Sequence, residues 1–283
     1  MLAVAAKALA MGLLPGASIS GQNGVMTNDS TAPCADGADD SISSDIIIAS
    51  WGWDFTQWTP GFYPDDLPDD WRLAYYSNEF RVVVIPGETL AQADEESIEG
   101  WAEAVADDFD FLLDLPPWFI GGARQDPDAA MERLLNTLAP ISEQVAGVIL
   151  PAEPGMTELQ PIVTGLAASF PVTLLFNEVP AGPLPELQTC EGRVLLGLNM
   201  TSSGRQTEQD WEAAHIGTLP ADSLGMVVVE CDAEKPRDLR QLRHIVEPCI
   251  RARSSYDPVY LVFKGEPPRL DDMKNAGVIA ELC

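Results

Sequence analysis

From residue 45 to the C-terminus the sequence alternates short apolar runs with helix-patterned stretches, and this alternation constrains the fold more than any other feature. The runs fall at 45–50, 81–86, 109–115, 146–151, 171–176, 193–199, 225–230 and 258–263. They are apolar, β-rich runs, and Ile46-Ile47-Ile48, short, continuous and stiff at χ1, reads as a buried strand. Between them, helical patterns occupy 69–79, 97–106, 127–144, 156–169, 207–215, 235–252 and 270–281. The connection from Val179 to Glu191, with three prolines, is expected to hold little helix. Asp126-Pro127 reads as an N-cap followed by Pro at N1, and Met131, Leu134, Leu135 and Leu138 as one apolar face. Gly121-Gly122 reads as a turn. Eight strands alternating with helices call for a parallel sheet, and closing that sheet gives an α/β, TIM-like (β/α)8 barrel. A chain of 283 residues has room for one such domain over 45–283.

The first strand runs into an aromatic segment, Ile46 to Pro64, that holds Trp51, Trp53 and Trp58. This is too aromatic for a solvated loop, so it is expected to fold back as a packed plug over one end of the sheet. Its order of residues resembles the YecE-like family, known as domain of unknown function 72. The matching pattern is Gly52-Trp53, Phe55, Trp58 and Phe62-Tyr63-Pro64, followed by Leu67-Pro68, Trp71, Leu73, Tyr75-Tyr76 and Phe80, with Asn275-Ala276 near the C-terminus. The resemblance implies a (β/α) barrel whose biochemical activity is not established. It also implies changed polar positions. The family's Glu at the end of the second strand falls on Val84, and its Lys on the third strand on Asp114. Its Glu-Phe-Arg falls on Leu175-Phe176-Asn177, its Arg and His near strand seven on Val229 and Cys231, and its Asn-Asn on Lys264-Gly265.

Charge narrows the partners. The chain carries 16 Lys+Arg against 44 Asp+Glu, a formal net charge of -28, and its only lysines are Lys7, Lys235, Lys264 and Lys274. Such an acidic, lysine-poor surface is a solubility device of halophile-like proteins and fits a salty cytoplasm. Nucleic acid is not an expected partner, because phosphate binding needs basic patches. Cys34, Cys190, Cys231, Cys249 and Cys283, with His215 and His244, lack metal-ligand spacing, so no metal is expected; their odd count and wide separation argue against a disulfide framework. Nor is a cofactor expected, since no phosphate-loop, dinucleotide or nucleophile-elbow fingerprint is present.

Residues 1–44 stand outside the alternation. They are expected to be a disordered acidic extension, lying in part upstream of a natural start at Met26; the alternative is an export signal over residues 1–20. Pro15-Gly16 interrupts the early apolar run far short of a membrane span, and a membrane is not an expected partner.

In a barrel of this kind the working face is the C-terminal end of the strands. That places Trp53, Glu88, Asp114, Glu153, Asn177, Glu178, Asn199, Glu230 and Lys264 at the mouth as candidate pocket-lining residues. Carboxylates at several strand ends suit general acid–base chemistry on a small-molecule ligand, with Lys264 beside them. They also suit a mouth that only binds or only supports the fold, because this chain is acidic throughout. Trp53, Trp58 and Tyr63 could stack on a ring-shaped ligand or pack as a plug. Thr201 to Arg205 could cradle a phosphate, with a solvated loop as the plainer reading. Lys264 and Glu230, at neighbouring strand ends, are expected to form an ion pair.

Overall fold

The computed structural model describes residues 46–153, 160–177, 193–200, 224–232, 234–252 and 258–283. The expected helix at 207–215, the connection 179–191, the extension 1–44 and the loop at Thr201 to Arg205 lie outside them.

Eight parallel strands form a closed barrel in chain order: β1 (Ile46–Trp51), β2 (Val82–Ile85), β3 (Asp110–Asp114), β4 (Val145–Ala152), β5 (Val172–Phe176), β6 (Val194–Met200), β7 (Leu224–Glu230) and β8 (Val259–Lys264). All eight coincide with the apolar runs of the sequence. The ring closes where β8 pairs with β1, from Ile46 opposite Val259 to Ser50 opposite Phe263. Side chains alternate across each strand, so every strand feeds two cores. Ala49, Trp51, Val82, Val84, Leu112, Ile149, Met226, Val228 and Val262 fill the barrel. The alternate residues, among them Val83, Leu113, Leu174, Leu198, Val227 and Phe263, pack outward under the helices. Both faces are therefore dry, which is why the strands read as unbroken apolar runs.

Among the described residues eight α-helices surround the strands: α1 (Arg72–Tyr76), α2 (Gly87–Gln92), α3 (Glu95–Ala104), α4 (Pro117–Ala123), α5 (Pro127–Thr137), α6 (Gln160–Ala167), α7 (Leu239–Ala252) and α8 (Leu270–Leu282). The Asp126 carboxylate accepts from the Ala129 N–H at 3.1 Å and Pro127 occupies the first turn, as expected. The apolar face of α5 is narrower than expected. Leu134 and Leu138 are fully buried, Met131 half so, and Leu135 is exposed. The helix expected to reach residue 144 stops at Thr137 and tightens into a 3-10 turn over Ala139–Ile141, because Pro140 has no N–H to continue the ladder. Similarly, the stretch 69–79 divides into a 3-10 turn at Asp69–Trp71 and the short α1. Gly121-Gly122 is not a turn but lies within α4.

The aromatic segment packs into the outer core. Trp58, Phe62, Tyr63 and Tyr76 are buried, and the Trp58 ring stacks parallel to Tyr76 at 6.3 Å and meets Phe55 edge-on at 4.8 Å. Gly52 starts this segment at φ +92°, a left-handed conformation that turns the chain sharply after β1. Two hydrogen bonds then lock it. The Tyr63 hydroxyl donates to the Trp53 carbonyl at 2.6 Å, and the Trp58 indole N–H donates to the Pro268 carbonyl at 2.9 Å, joining the two ends of the barrel sequence. Arg72 pairs with Asp54 and with Asp69, closing the loop from outside.

Asp65, Asp66, Asp69, Asp70, Asp94, Glu95 and Glu96 are all exposed. Crowding of like charge opposes compaction and is screened by ions. The unfolding midpoint of the full chain should therefore rise steadily from dilute buffer to molar potassium chloride, as followed by circular dichroism. A midpoint independent of salt would refute the halophile-like reading of the surface.

Candidate functional site at the barrel mouth

The mouth is built by residues that point inward at or near the ends of β1, β3, β6, β7 and β8. Trp51 follows Ile47 and Ala49 on the inner face of β1, and Lys264 follows Tyr260 and Val262 on the inner face of β8. Glu230 follows Met226 and Val228 on β7 and is the register partner of Lys264. Asn199 on β6 is level with Val228, one inward step below Glu230. Asp114 ends β3 two residues beyond the inward Leu112.

Lys264 does not form the expected ion pair with Glu230. Its ammonium lies over the Trp51 ring, 4.2 Å from the ring centroid. A cation seated on an indole face is held by the ring quadrupole, and the half-buried Glu230 carboxylate one strand away does not displace it. Consequently Lys264→Met should cost less than about 1 kcal/mol, the scale of such a contact at a half-open site. Adding Glu230→Gln should give an additive double-mutant cycle in urea melts. A coupling above roughly 1 kcal/mol would show the two side chains to be an ion pair after all.

Asp114 is tied to the protein. Its Oδ2 accepts from the Gly87 N–H at 3.1 Å, fixing the turn from β2 into α2. Gly87 is required there, since a Cβ would sit 3.0 Å from the Leu115 carbonyl oxygen and 3.2 Å from Asp114 Oδ2. Burial pushes the Asp114 carboxyl above its ordinary range, with a further upward push from Glu88; the Gly87 N–H and the charge of Lys264 pull it back. Lys264 and Asp114 thus act on one another electrostatically across the mouth. A carboxyl raised in the folded state holds its proton longer there than in the unfolded chain, so its contribution favours folding at low pH and fades as pH rises through the folded value. Asp114→Asn removes this dependence while keeping an acceptor for Gly87. Between the ordinary carboxylate range and neutrality the variant should lose less stability than the parent. Parallel pH curves would contradict the assignment.

The remaining expected residues are spread more widely. The Asn199 amide donates to Asn177 Oδ1 at 3.2 Å, and its own Oδ1 is buried without a donor. Glu88 and Glu153 are exposed at the rim, the first in the opening turn of α2 and the second directly after β4. Glu178 lies outside the described residues. Trp53 is not in the mouth. It lies beyond the Gly52 turn in the outer core, where its ring meets Trp101 of α3 edge-on at 5.5 Å. Trp53, Trp58 and Tyr63 are packed too deeply to offer a face to a ligand.

Two groups were not among the candidate pocket-lining residues. Trp51 could have been found from the period of β1, since it shares a face with Ile47 and Ala49. Arg237 had no such signal, because it lies outside any strand. Its Nη2 donates to the Glu230 carbonyl at 2.7 Å, its Nη1 lies 3.8 Å from Cys231 Sγ, and the same Nη1 lies 3.6 Å from the buried Asp272. Burial nevertheless pushes the Cys231 thiol above its ordinary value, so it is held as a thiol and not as a reactive thiolate. Among the described residues no three His, Cys, Asp or Glu side chains converge as a metal would require, and no helix is long and apolar enough to cross a membrane.

Eight parallel strands closed in chain order, with polar groups gathered at their C-terminal ends, define a (β/α)8-barrel protein. The sequence model of a family described as "Protein of unknown function DUF72" matches residues 47–174. Two solved structures share the fold. A DUF72 family protein from Enterococcus faecalis V583 superposes with a TM-score of 0.58 at 11% identity, over 84% of this chain and 96% of that one. A DUF72 family protein from Thermotoga maritima MSB8 gives 0.55 at 15% identity, over 84% and 96%. The family match covers that stretch of the chain, and the two DUF72 (YecE-like) structures share its fold. No curated protein matches it.

Proposed function

We propose that the protein is a small-molecule-binding barrel whose mouth receives a ligand without transforming it. The carrying observation is that the mouth's polar groups are engaged by structural contacts and, among the described residues, no acid–base or nucleophile–base pair of them is hydrogen-bonded. Asp114 is bonded to the Gly87 backbone, Lys264 rests on Trp51, and Asn199 bonds Asn177. A general acid and base working together need a mutual geometry around a reacting atom, and a nucleophile needs a base within hydrogen-bond reach. The substitutions implied by the family resemblance support the same reading, because Val84, Asn177 and Cys231 stand where that resemblance expects Glu, Arg and His. Loss of those groups removes charge-assisted contacts to an anion. The acidic composition supports a cytoplasmic setting of high ionic strength and gives nucleic acid no foothold.

A second reading has one observation in its favour. Asp114 is a carboxyl raised by burial with a lysine charge acting on it, the kind of environment in which acids are tuned for catalysis. In that reading Asp114 and Lys264 perform acid–base chemistry on a small metabolite. The two separate cleanly. Compounds that raise the melting temperature of the full chain, as any ligand of the native state must, are incubated with it and followed by proton NMR. The binding reading expects the compound to be recovered unchanged. Turnover that disappears in Asp114→Asn would replace it with the enzyme reading.

A further inference from the structure

The mouth also indicates what kind of ligand it takes, an inference that rests on the binding reading above. Four of its polar groups keep unused hydrogen-bonding capacity among the described residues. The Lys264 ammonium touches the Trp51 ring and donates to no protein acceptor. The Glu230 carboxylate, one strand spacing away in register, accepts no hydrogen bond. Asn199 Oδ1 is buried with no donor, next to the Asn177 amide it has already engaged. Asp114 spends Oδ2 on Gly87 and keeps Oδ1.

One donor group thus stands among three acceptors, all at the ends of strands that share one rim. An anionic ligand would satisfy Lys264 alone. It would bring like charge against Glu230 and Asp114, in a chain of net charge -28. A cationic ligand would satisfy the carboxylates and meet Lys264. A hydroxyl is the simple group that accepts from an ammonium and donates to a carboxylate or amide oxygen at once. Several hydroxyls on one frame would satisfy all four groups without bringing a further charge into the mouth, and the bonds to Lys264 and Glu230 would be charge-assisted. We propose that the ligand is a neutral polyhydroxylated molecule, of the sugar or cyclic polyol class, held between Lys264, Glu230 and Asn199.

The test compares one carbon frame at different charges. The full chain is titrated by calorimetry with D-glucose and myo-inositol, with D-gluconate and D-glucose 6-phosphate, and with D-glucosamine. The neutral compounds should bind more tightly than the acid, the phosphate or the amine. Lys264→Met and Glu230→Ala should each weaken that binding tenfold or more, the usual worth of a hydrogen bond to a charged group. Should Glu230→Ala fail to fold, Glu230→Gln takes its place with the same direction of effect. A preference for gluconate or the phosphate that Lys264→Met abolishes would overturn the ligand class while leaving the mouth as the binding site. Neutral binding that survives both substitutions would overturn the placement, and the absence of binding by every compound would overturn both the class and the binding reading.

Discussion

Trp58→Ala is expected to lower the unfolding midpoint by roughly ten degrees. Trp58 is buried, and its ring contacts Phe55, Phe62, Tyr63 and Tyr76 within 6.3 Å. Truncating a core tryptophan costs about 3–5 kcal/mol through lost contacts and the cavity left behind. The substitution also leaves the Pro268 carbonyl without the indole N–H it now accepts at 2.9 Å. That bond crosses the seam where β8 meets β1, so the loss reaches beyond the loop. At about 2–4 °C per kcal/mol for a domain of this size, the midpoint falls by about ten degrees. Trp58→Phe keeps a ring and drops only the donor, so it should cost about 1–3 kcal/mol. A Trp58→Ala midpoint within two degrees of the parent, by calorimetry or circular dichroism, would show that the aromatic segment is not part of the core.

Asp272→Ala should be of similar size for an electrostatic reason. Asp272 is 1% exposed in the first turn of α8 and lies between two arginines, with Arg237 Nη1 at 3.6 Å and Arg269 Nε at 3.7 Å. Burial raises its carboxyl above the ordinary range while Arg237 and Arg269 draw it down, so desolvation dominates there. A pair of this kind adds little net stability, yet removing one partner strands a buried charge, at a cost of about 3–5 kcal/mol. Arg237→Met should be costly as well, since Arg237 also holds the Glu230 carbonyl. The double variant should cost clearly less than the two single costs added together. Strict additivity in urea titrations would mean that the arginine and the aspartate do not depend on one another.

The strands were legible because a barrel strand is apolar on both faces, and a run of four to eight such residues has few other homes. Two helices were not legible. α2 and α4 are only six and seven residues long, follow Pro86 and Pro116, and contain glycine. A helical period needs a longer window to show itself. At the mouth, position along the strand was readable and contact was not. Lys264 lies at the inward end of β8 beside Glu230, as strand order required, but the choice between a carboxylate and an indole face is made in three dimensions. Trp53 was named among the pocket-lining candidates and Trp51 was not. Strand parity points to Trp51, and the turn at Gly52 carries Trp53 out of the barrel. Arg237 and Asp272, separated by 35 positions in sequence, meet only in the folded chain, where α8 packs against α7.

The central claim is that the rim formed by Trp51, Asp114, Asn199, Glu230 and Lys264 is the place where this protein holds a small neutral ligand. A crystal structure of the full chain soaked with D-glucose or myo-inositol tests it most directly. The account predicts ligand density inside the mouth, with hydroxyls within hydrogen-bond distance of Lys264 Nζ, Glu230 and Asn199 Oδ1, and with the Lys264 ammonium still over the Trp51 ring. Density confined to another surface, such as the groove lined by Gln57, Pro268 and Lys274, or a Lys264 side chain turned outward among the helices, would contradict it.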